Sequence, residues 1–168
     1  GDALAFDVEL PKLEALRTLA ADRLPAPLEG RVAAKGTLAL ARGQVGLDVR
    51  VQGERLRAGP SFATTTLDAR VAWTQAPGVD LDHQPIEVSV DVRDAGAGGV
   101  KVASASAEAR GSLAAHGLEV RVRVGGTDVE ASLAGALERD IARWSGTLNA
   151  LRSTGTAGVR LEAPAKLE

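Results

Sequence analysis

The sequence predicts an all-β protein: one long, mainly antiparallel sheet curled into an open U-shaped hydrophobic groove, with one short N-terminal helix. Three observations carry that expectation. Most of the chain alternates strictly, apolar then polar, with a period of two, as a strand with one dry and one wet face must. The clearest run is 118–124, where Leu118, Val120, Val122 and Val124 point one way and Glu119, Arg121 and Arg123 the other. Turn signals such as Gly59-Pro60, Pro77-Gly78 and the 96–99 glycine cluster punctuate the runs. The apolar positions are Val, Leu, Ala and Gly, and aromatic residues are only 2% of the chain. A closed sandwich or small barrel fills its interior with bulky and aromatic side chains, so this composition favours an open trough, although an aromatic-poor sandwich would share it.

Taken in order, Leu4, Phe6, Val8 and Leu10 form a short strand-like tract. Pro11 suits the first turn of a helix; Leu13, Leu16, Ala20 and Leu24 follow at helical spacing, and Pro25 and Pro27 stop it. The spacing predicts a helix over 11–24. Its polar face mixes Lys12, Glu14, Arg17, Asp22 and Arg23, which fits packing on a sheet better than lying on a membrane. The sheet is expected over 31–163. Val32, Ala34, Gly36, Leu38 and Leu40 share one face; a turn at Arg42-Gly43-Gln44 leads to Val45, Leu47, Val49 and Val51, opposite Asp48, Arg50 and Gln52. Leu56 and Ala58 continue that run. Ala63, Thr65, Leu67, Ala69, Val71 and Trp73 read as one face of a long strand, and Ile86, Val88, Val90 and Val92 as the next. Val100 and Val102 have one parity and Ala103, Ala105, Ala107 and Ala109 the other, which calls for a bulge between them. Val129, Ala131, Leu133, Gly135 and Leu137 alternate again, as do Trp144, Gly146 and Leu148. The expected groove lining is the large-aliphatic part of this face: Leu38, Leu40, Val45, Leu47, Val49, Val51, Leu67, Val71, Ile86, Val88, Val90, Val92, Leu118, Val120, Val122, Val124, Val129, Leu133, Leu137 and Leu148.

Composition removes several classes of function. The chain has 168 residues, enough for a single module, and a net charge of −2, so no basic field holds nucleic acid or an anionic bilayer. The scarcity of aromatics removes base-stacking platforms too. With no cysteine there is no disulfide framework or thiolate site, a usage that suits cytoplasm and bacterial periplasm equally. No run approaches the roughly 20 apolar residues of a spanning helix. There is no methionine, and the chain opens at Gly1 and ends Leu167-Glu168. It therefore reads as a single groove module, 1–168, excised from a longer repetitive protein, whose anchors and targeting signals would lie outside it. Arginine far outnumbers lysine, as in high-GC bacterial genomes.

No constellation carries an enzyme's chemistry, so no catalytic, metal or cofactor site is assigned. Asp80, Asp82 and His83 offer metal-ligand types, but strand alternation would put His83 on the face opposite both aspartates. His116 has no serine or carboxylate beside it in a known motif. Gly96–Lys101 lacks phosphate-loop spacing and leads into a strand rather than a helix. Ser145 lacks the glycine spacing of a nucleophile elbow. Trp144 reads as a core or rim residue, and Arg50, Arg93, Arg121 and Arg123 as a solvated face.

A weak repeat runs through the chain: Lys35-Gly36-Thr37-Leu38 before Val49-Arg50-Val51, Arg110-Gly111-Ser112-Leu113 before Val120-Arg121-Val122, and Ser145-Gly146-Thr147-Leu148 before Val159-Arg160-Leu161. Such repetition suits units stacked with the same face inward. His116-Gly117-Leu118 with its alternating strand, then Gly135, then Trp144-Ser145-Gly146-Thr147-Leu148, then 161–167, resembles the central-to-late periplasmic region of the TamB family, within the AsmA-like superfamily. The N-terminal half resembles it too, through the helix at 13–24, Leu28-Glu29-Gly30 and Gly36. A second tryptophan common in the late region of that family is absent here, where Val159 and Leu161 stand. The resemblance implies a β-taco, a taco-like trough that carries phospholipid between inner and outer membranes. It implies a periplasmic location in a protein anchored in the inner membrane. It also implies a partner, a TamA-like outer-membrane barrel reached through parts outside this chain, and a link to outer-membrane protein and autotransporter assembly. Ten or so strands at about 4.8 Å each would give roughly 50 Å of trough. Phospholipid acyl chains are then the expected ligand, and self-association through cut sheet edges is expected at both ends. The rival expectations are a β-sheet scaffold that pairs its edge with nascent outer-membrane strands, and a structural β-sandwich.

Overall fold

A computed structural model of the chain describes residues 2–16, 28–41, 44–137, 143–156 and 158–167. The alternating runs become ten strands: β1 (Asp2–Leu10), β2 (Leu28–Ala41), β3 (Gln44–Ala58), β4 (Phe62–Thr74), β5 (Ile86–Ala97), β6 (Val100–Gly111), β7 (His116–Val124), β8 (Thr127–Leu137), β9 (Trp144–Thr154) and β10 (Ala165–Leu167). They form one antiparallel sheet whose spatial order is the sequence order, and it does not close into a barrel. Short connections permit this meander, because antiparallel neighbours need only a hairpin. Gly98-Gly99 (φ 55° and 85°) and Gly125-Gly126 (φ 54° and 81°) supply the two consecutive left-handed residues that a tight two-residue turn requires. The helix expected over 11–24 is a single 3-10 turn, Leu13–Leu16, where it can be followed; 17–27 lie outside the described residues. Leu13 seats that turn against the sheet beside β2.

The bulge expected from the parity change near Val102 is present. Val102 pairs with Val124 and Ser104 with Arg123, leaving Ala103 as the extra residue. It belongs to a line. Arg55 on β3, Thr65 on β4 and Asp94 on β5 lie on the same row, each left unpaired against the next without a change of register between those strands. Arg55 and Asp94 have positive φ, 50° and 49°. Four neighbouring strands thus bulge side by side, which bends them together and increases their twist. One expectation is corrected here. Ala63 and Thr65 do not continue the face of Leu67; the bulge exchanges parity, so Phe62 and Thr64 take that face instead. Thr64 is buried, with its hydroxyl 3.0 Å from the Thr66 carbonyl and 2.8 Å from that of Arg93, which share its proton. The third repeat is corrected too: 159–161 make only an isolated bridge, Arg160 to Arg152, rather than a strand.

The sheet has no second layer among the described residues. Leu13 is the one buried hydrophobic residue there, and no large side chain is fully buried. The surface area is 11575 Å² for 17.2 kDa, whereas a compact monomer of that mass exposes roughly 7,800 Å². The excess runs in the direction expected of a sheet with no covering layer, and the ten strands are one sheet rather than the two of a sandwich.

Candidate hydrophobic surface

Register shows what the alternation builds. One row across the sheet reads Phe6, Gly36, Val49, Val71, Val88, Ala109, Leu118, Leu133, Leu148 and Ala165. The row beside it reads Val8, Ala34, Val51, Ala69, Val90, Ala107, Val120, Ala131 and Leu151. All twenty expected lining residues share this face, because within each strand they lie on one uninterrupted period-two stretch and the cross-strand register puts those stretches opposite one another. Nineteen are half-buried by their neighbours in the sheet, and Leu40, at a strand end, is 51% exposed. At the first edge Leu4 is 65% and Val8 48% exposed. The second row alternates large and small residues across the strands, and no charged side chain interrupts the central rows.

Two of its aromatic residues rest on glycines. Phe6 covers Gly36, its direct partner on β2. The Trp144 ring lies over Gly135 and Gly146, which face each other across β8 and β9. A Cβ on either glycine would collide with that ring and with a backbone carbonyl. The indole N–H of Trp144 donates to His116 Nε2 at 2.8 Å, and His116 Nδ1 stands 3.1 Å from the Ser112 carbonyl. The pair of contacts fixes the ring as the neutral tautomer with its proton on Nδ1. His116 is therefore a rim fixture of the apolar face. Elsewhere, before β5, the buried Gln84 holds the 76–79 loop through the Ala76 N–H and the Ala76 and Val79 carbonyls. The sequence marked Trp144 and His116 as a motif but held no signal that they touch, because 28 residues separate them.

The opposite face is a field of exposed cross-strand ion pairs. Arg50 binds Asp68 and Arg70 binds Asp48, two diagonals about the Arg50–Arg70 register pair. Arg110 pairs with Glu87 at 2.8 Å and Arg123 with Asp128 at 2.6 Å. The Arg70 hydrogen bond holds the Asp48 carboxyl below its usual range, and the Arg50 hydrogen bond does the same for Asp68. Depressions also lie here. One of about 540 Å³ sits between Arg93, Arg121, Arg123 and Arg152, with Asp91, Asp128 and Glu130 in its wall. It is a gap between long side chains standing on the pleat. The aliphatic face offers breadth instead of an enclosed cavity.

The strand-alternation argument that separated His83 from Asp80 and Asp82 is overturned. Leu81–His83 is a 3-10 turn, and it brings the three ligand atoms within 4.8 Å of one another. Asp82 Oδ1 is 3.1 Å from His83 Nδ1, so this exposed cluster is a local hydrogen-bonded turn. Comparison with protein-family models, curated proteins and solved structures found no match to this chain.

Proposed function

We propose that the aliphatic face is a lipid-carrying surface. The chain would then be a periplasmic hydrophobic-groove segment of a bridge-like protein of the TamB type that conducts phospholipids between inner and outer membranes. The observation that supports this is a continuous aliphatic face across ten strands, with no covering layer among the described residues. A phospholipid leaving a bilayer exposes its acyl chains at about 0.8 kcal/mol per methylene. A smooth aliphatic strip removes most of that cost, while the head group stays in water at the open margin. The face binds chains without directional bonds, so lipid can slide along it. No group transfer is involved, and the protein is not an enzyme in this reading. The longer protein would be anchored in the inner membrane and meet a TamA-like outer-membrane barrel through parts outside this chain, linking transport to outer-membrane biogenesis.

A second reading, a scaffold that pairs its edge with nascent outer-membrane strands or autotransporters, is favoured by the unpaired outer side of β1. One experiment separates the two. A photoreactive amino acid is placed at Val122 on the aliphatic face, at Arg121 on the charged face and at Ala5 on β1, in the presence of phospholipid vesicles and of a synthetic peptide with the alternating sequence of an outer-membrane strand. The lipid reading expects lipid adducts at Val122 and not at Arg121. Adducts equal at both faces, or only peptide adducts at Ala5, would sink it.

A further inference from the structure

The strands of the aliphatic face end differently at its two margins. At one margin the connectors are tied to one another. Gln84 holds the 76–79 loop, the Ala114 N–H donates to the Asp82 carbonyl at 2.8 Å, and the Leu137 N–H donates to the Leu113 carbonyl at 2.8 Å. A polar bank therefore runs from the end of β4 to the end of β8. Both tryptophans of the chain stand at this margin. Trp73 is in register with Ile86, and the row continues through Gly111 to His116. Trp144 reaches the same His116 through its indole N–H. Trp73, half-buried, keeps its own indole N–H free of any protein acceptor among the described residues. At the other margin two hairpins close on the bare glycine pairs Gly98-Gly99 and Gly125-Gly126. A Cβ on Gly98, Gly99 or Gly125 would meet nothing within 4 Å. Phe62, Val100 and Val124 border the aliphatic face there, and the one hydroxyl beside them, on Thr64, already donates to backbone.

We infer that the tryptophan margin is the head-group side of the lipid-carrying face. A phospholipid lies along the strands, its ester and head-group end at Trp73, His116 and Trp144, its acyl termini toward Phe62 and Val100. This rests on the lipid reading and gives it a direction. Two arguments support it. An indole suits a boundary between hydrocarbon and water, because its ring is apolar and its N–H donates; ester and phosphate oxygens are acceptors, so they complement the free Trp73 N–H. Phe62, at the opposite margin, has no polar handle and suits chain ends. Length agrees as well. From Trp73 to Leu67 the face runs about 20 Å at about 3.3 Å per residue. One leaflet holds its chains in about 15 Å, half of a roughly 30 Å hydrocarbon core. A chain that starts at the tryptophans therefore ends before the glycine turns, and the face covers it along its whole length.

Fluorescence quenching in lipid–protein complexes, freed of vesicles by gel filtration, tests the direction. The probes are phosphatidylcholine with a nitroxide on its choline and phosphatidylcholine with a nitroxide near its acyl terminus. Because both tryptophans lie on one margin, the unmodified chain reports that margin. The choline nitroxide should cause the greater loss of tryptophan fluorescence. A fluorophore on Val100→Cys, a single cysteine at an exposed position of this cysteine-free chain, reports the other margin. There the order of the two probes should reverse. The same order at both margins, the opposite order, or no difference between the probes overturns the direction while lipid binding stands. A chain that retains no lipid after gel filtration overturns the lipid reading and the direction with it. If the labelled variant fails to fold, the tryptophan measurement on the unmodified chain decides alone.

Discussion

The two faces of this sheet share every backbone hydrogen bond and differ only in side chains, yet they solve opposite problems. The charged face satisfies itself locally, with arginine meeting carboxylate across neighbouring strands and water covering the rest. The aliphatic face cannot. Within a single layer each Val or Leu is covered only by its in-plane neighbours, and the rows from Phe6 to Leu148 stay half-exposed. Hydrophobic burial usually needs two layers. The difference teaches that stability of the chain alone rests on ladder bonds and lateral contacts, and that the aliphatic face has binding capacity left over.

The contrast is sharpest at glycines. Gly135 lies on the aliphatic face beneath Trp144, whereas Gly96 lies on the charged face with open space where a Cβ would go. Gly135→Val should cost about 3 kcal/mol or more, because the new side chain meets the indole ring and the Ser145 carbonyl and neither can withdraw. Gly96→Ala should instead be neutral or stabilising by up to about 1 kcal/mol, through a less free unfolded chain. Urea denaturation of both variants measures the pair; equal losses would mean that the faces do not differ in packing.

Next in size is a charge on the aliphatic face. Val122 lies between Ala105 and Val129, with no second layer above it. In a closed core Val122→Glu would bury an unpaired carboxylate and rival the stability of the whole domain. On this open face water reaches the new group, so the expected loss is about 1–2 kcal/mol with the fold retained, accompanied by loss of lipid crosslinking nearby. Arg121→Glu on the other face should change thermal unfolding less and crosslinking not at all. A Val122→Glu chain that unfolds would show that something covers this face.

His116 tests the rim. His116→Phe keeps the bulk but removes the acceptor for the Trp144 N–H and the group facing the Ser112 carbonyl. The expected cost is about 1–2 kcal/mol, with a change in Trp144 fluorescence. An unchanged melting curve would mean that the ring contacts alone hold the rim.

The face assignment was legible because a period-two pattern survives in any strand, and the parity slip at Val102 announced its bulge. The slip at Thr65 was not legible: Ala63, Thr65 and Leu67 alternate without a break, and Thr64 is chemically as acceptable outside as in. The sequence of 80–83 misled for a related reason, since alternation was assumed where a 3-10 turn forms. The break in the third repeat was also hidden. Repeat spacing suggested a full strand at 159–161, while Gly158 and Pro164 bracket a segment that makes two backbone bonds and moves on. Tertiary contact between His116 and Trp144 leaves no local trace in sequence.

The smallest effect belongs to the charged face and has a definite sign. The Asp48 and Asp68 carboxyls are held below their usual range by hydrogen bonds from Arg70 and Arg50. The folded chain therefore binds these protons less readily than the unfolded chain. Their contribution is fully present above the unfolded carboxyl value of about 4 and is lost as pH falls through the lower folded values. Both pairs are exposed, with 53–60% of the arginine side chains and 35–45% of the aspartates in water, so screening limits each to at most about 1 kcal/mol. Between pH 5 and pH 8, about the neutral plateau for carboxylates, stability should not change through these groups. Below pH 4 it should decline, and the decline should be shallower in Asp48→Asn/Asp68→Asn than in the parent chain. Raising salt to about 1 M should shrink the same difference, because the Debye length falls to about 3 Å. Thermal melts across pH at two salt concentrations measure this directly. An acid decline as steep in the double variant as in the parent would mean that the quartet about Arg50 and Arg70 contributes no stability, leaving the charged face as a coat that only keeps the sheet in solution.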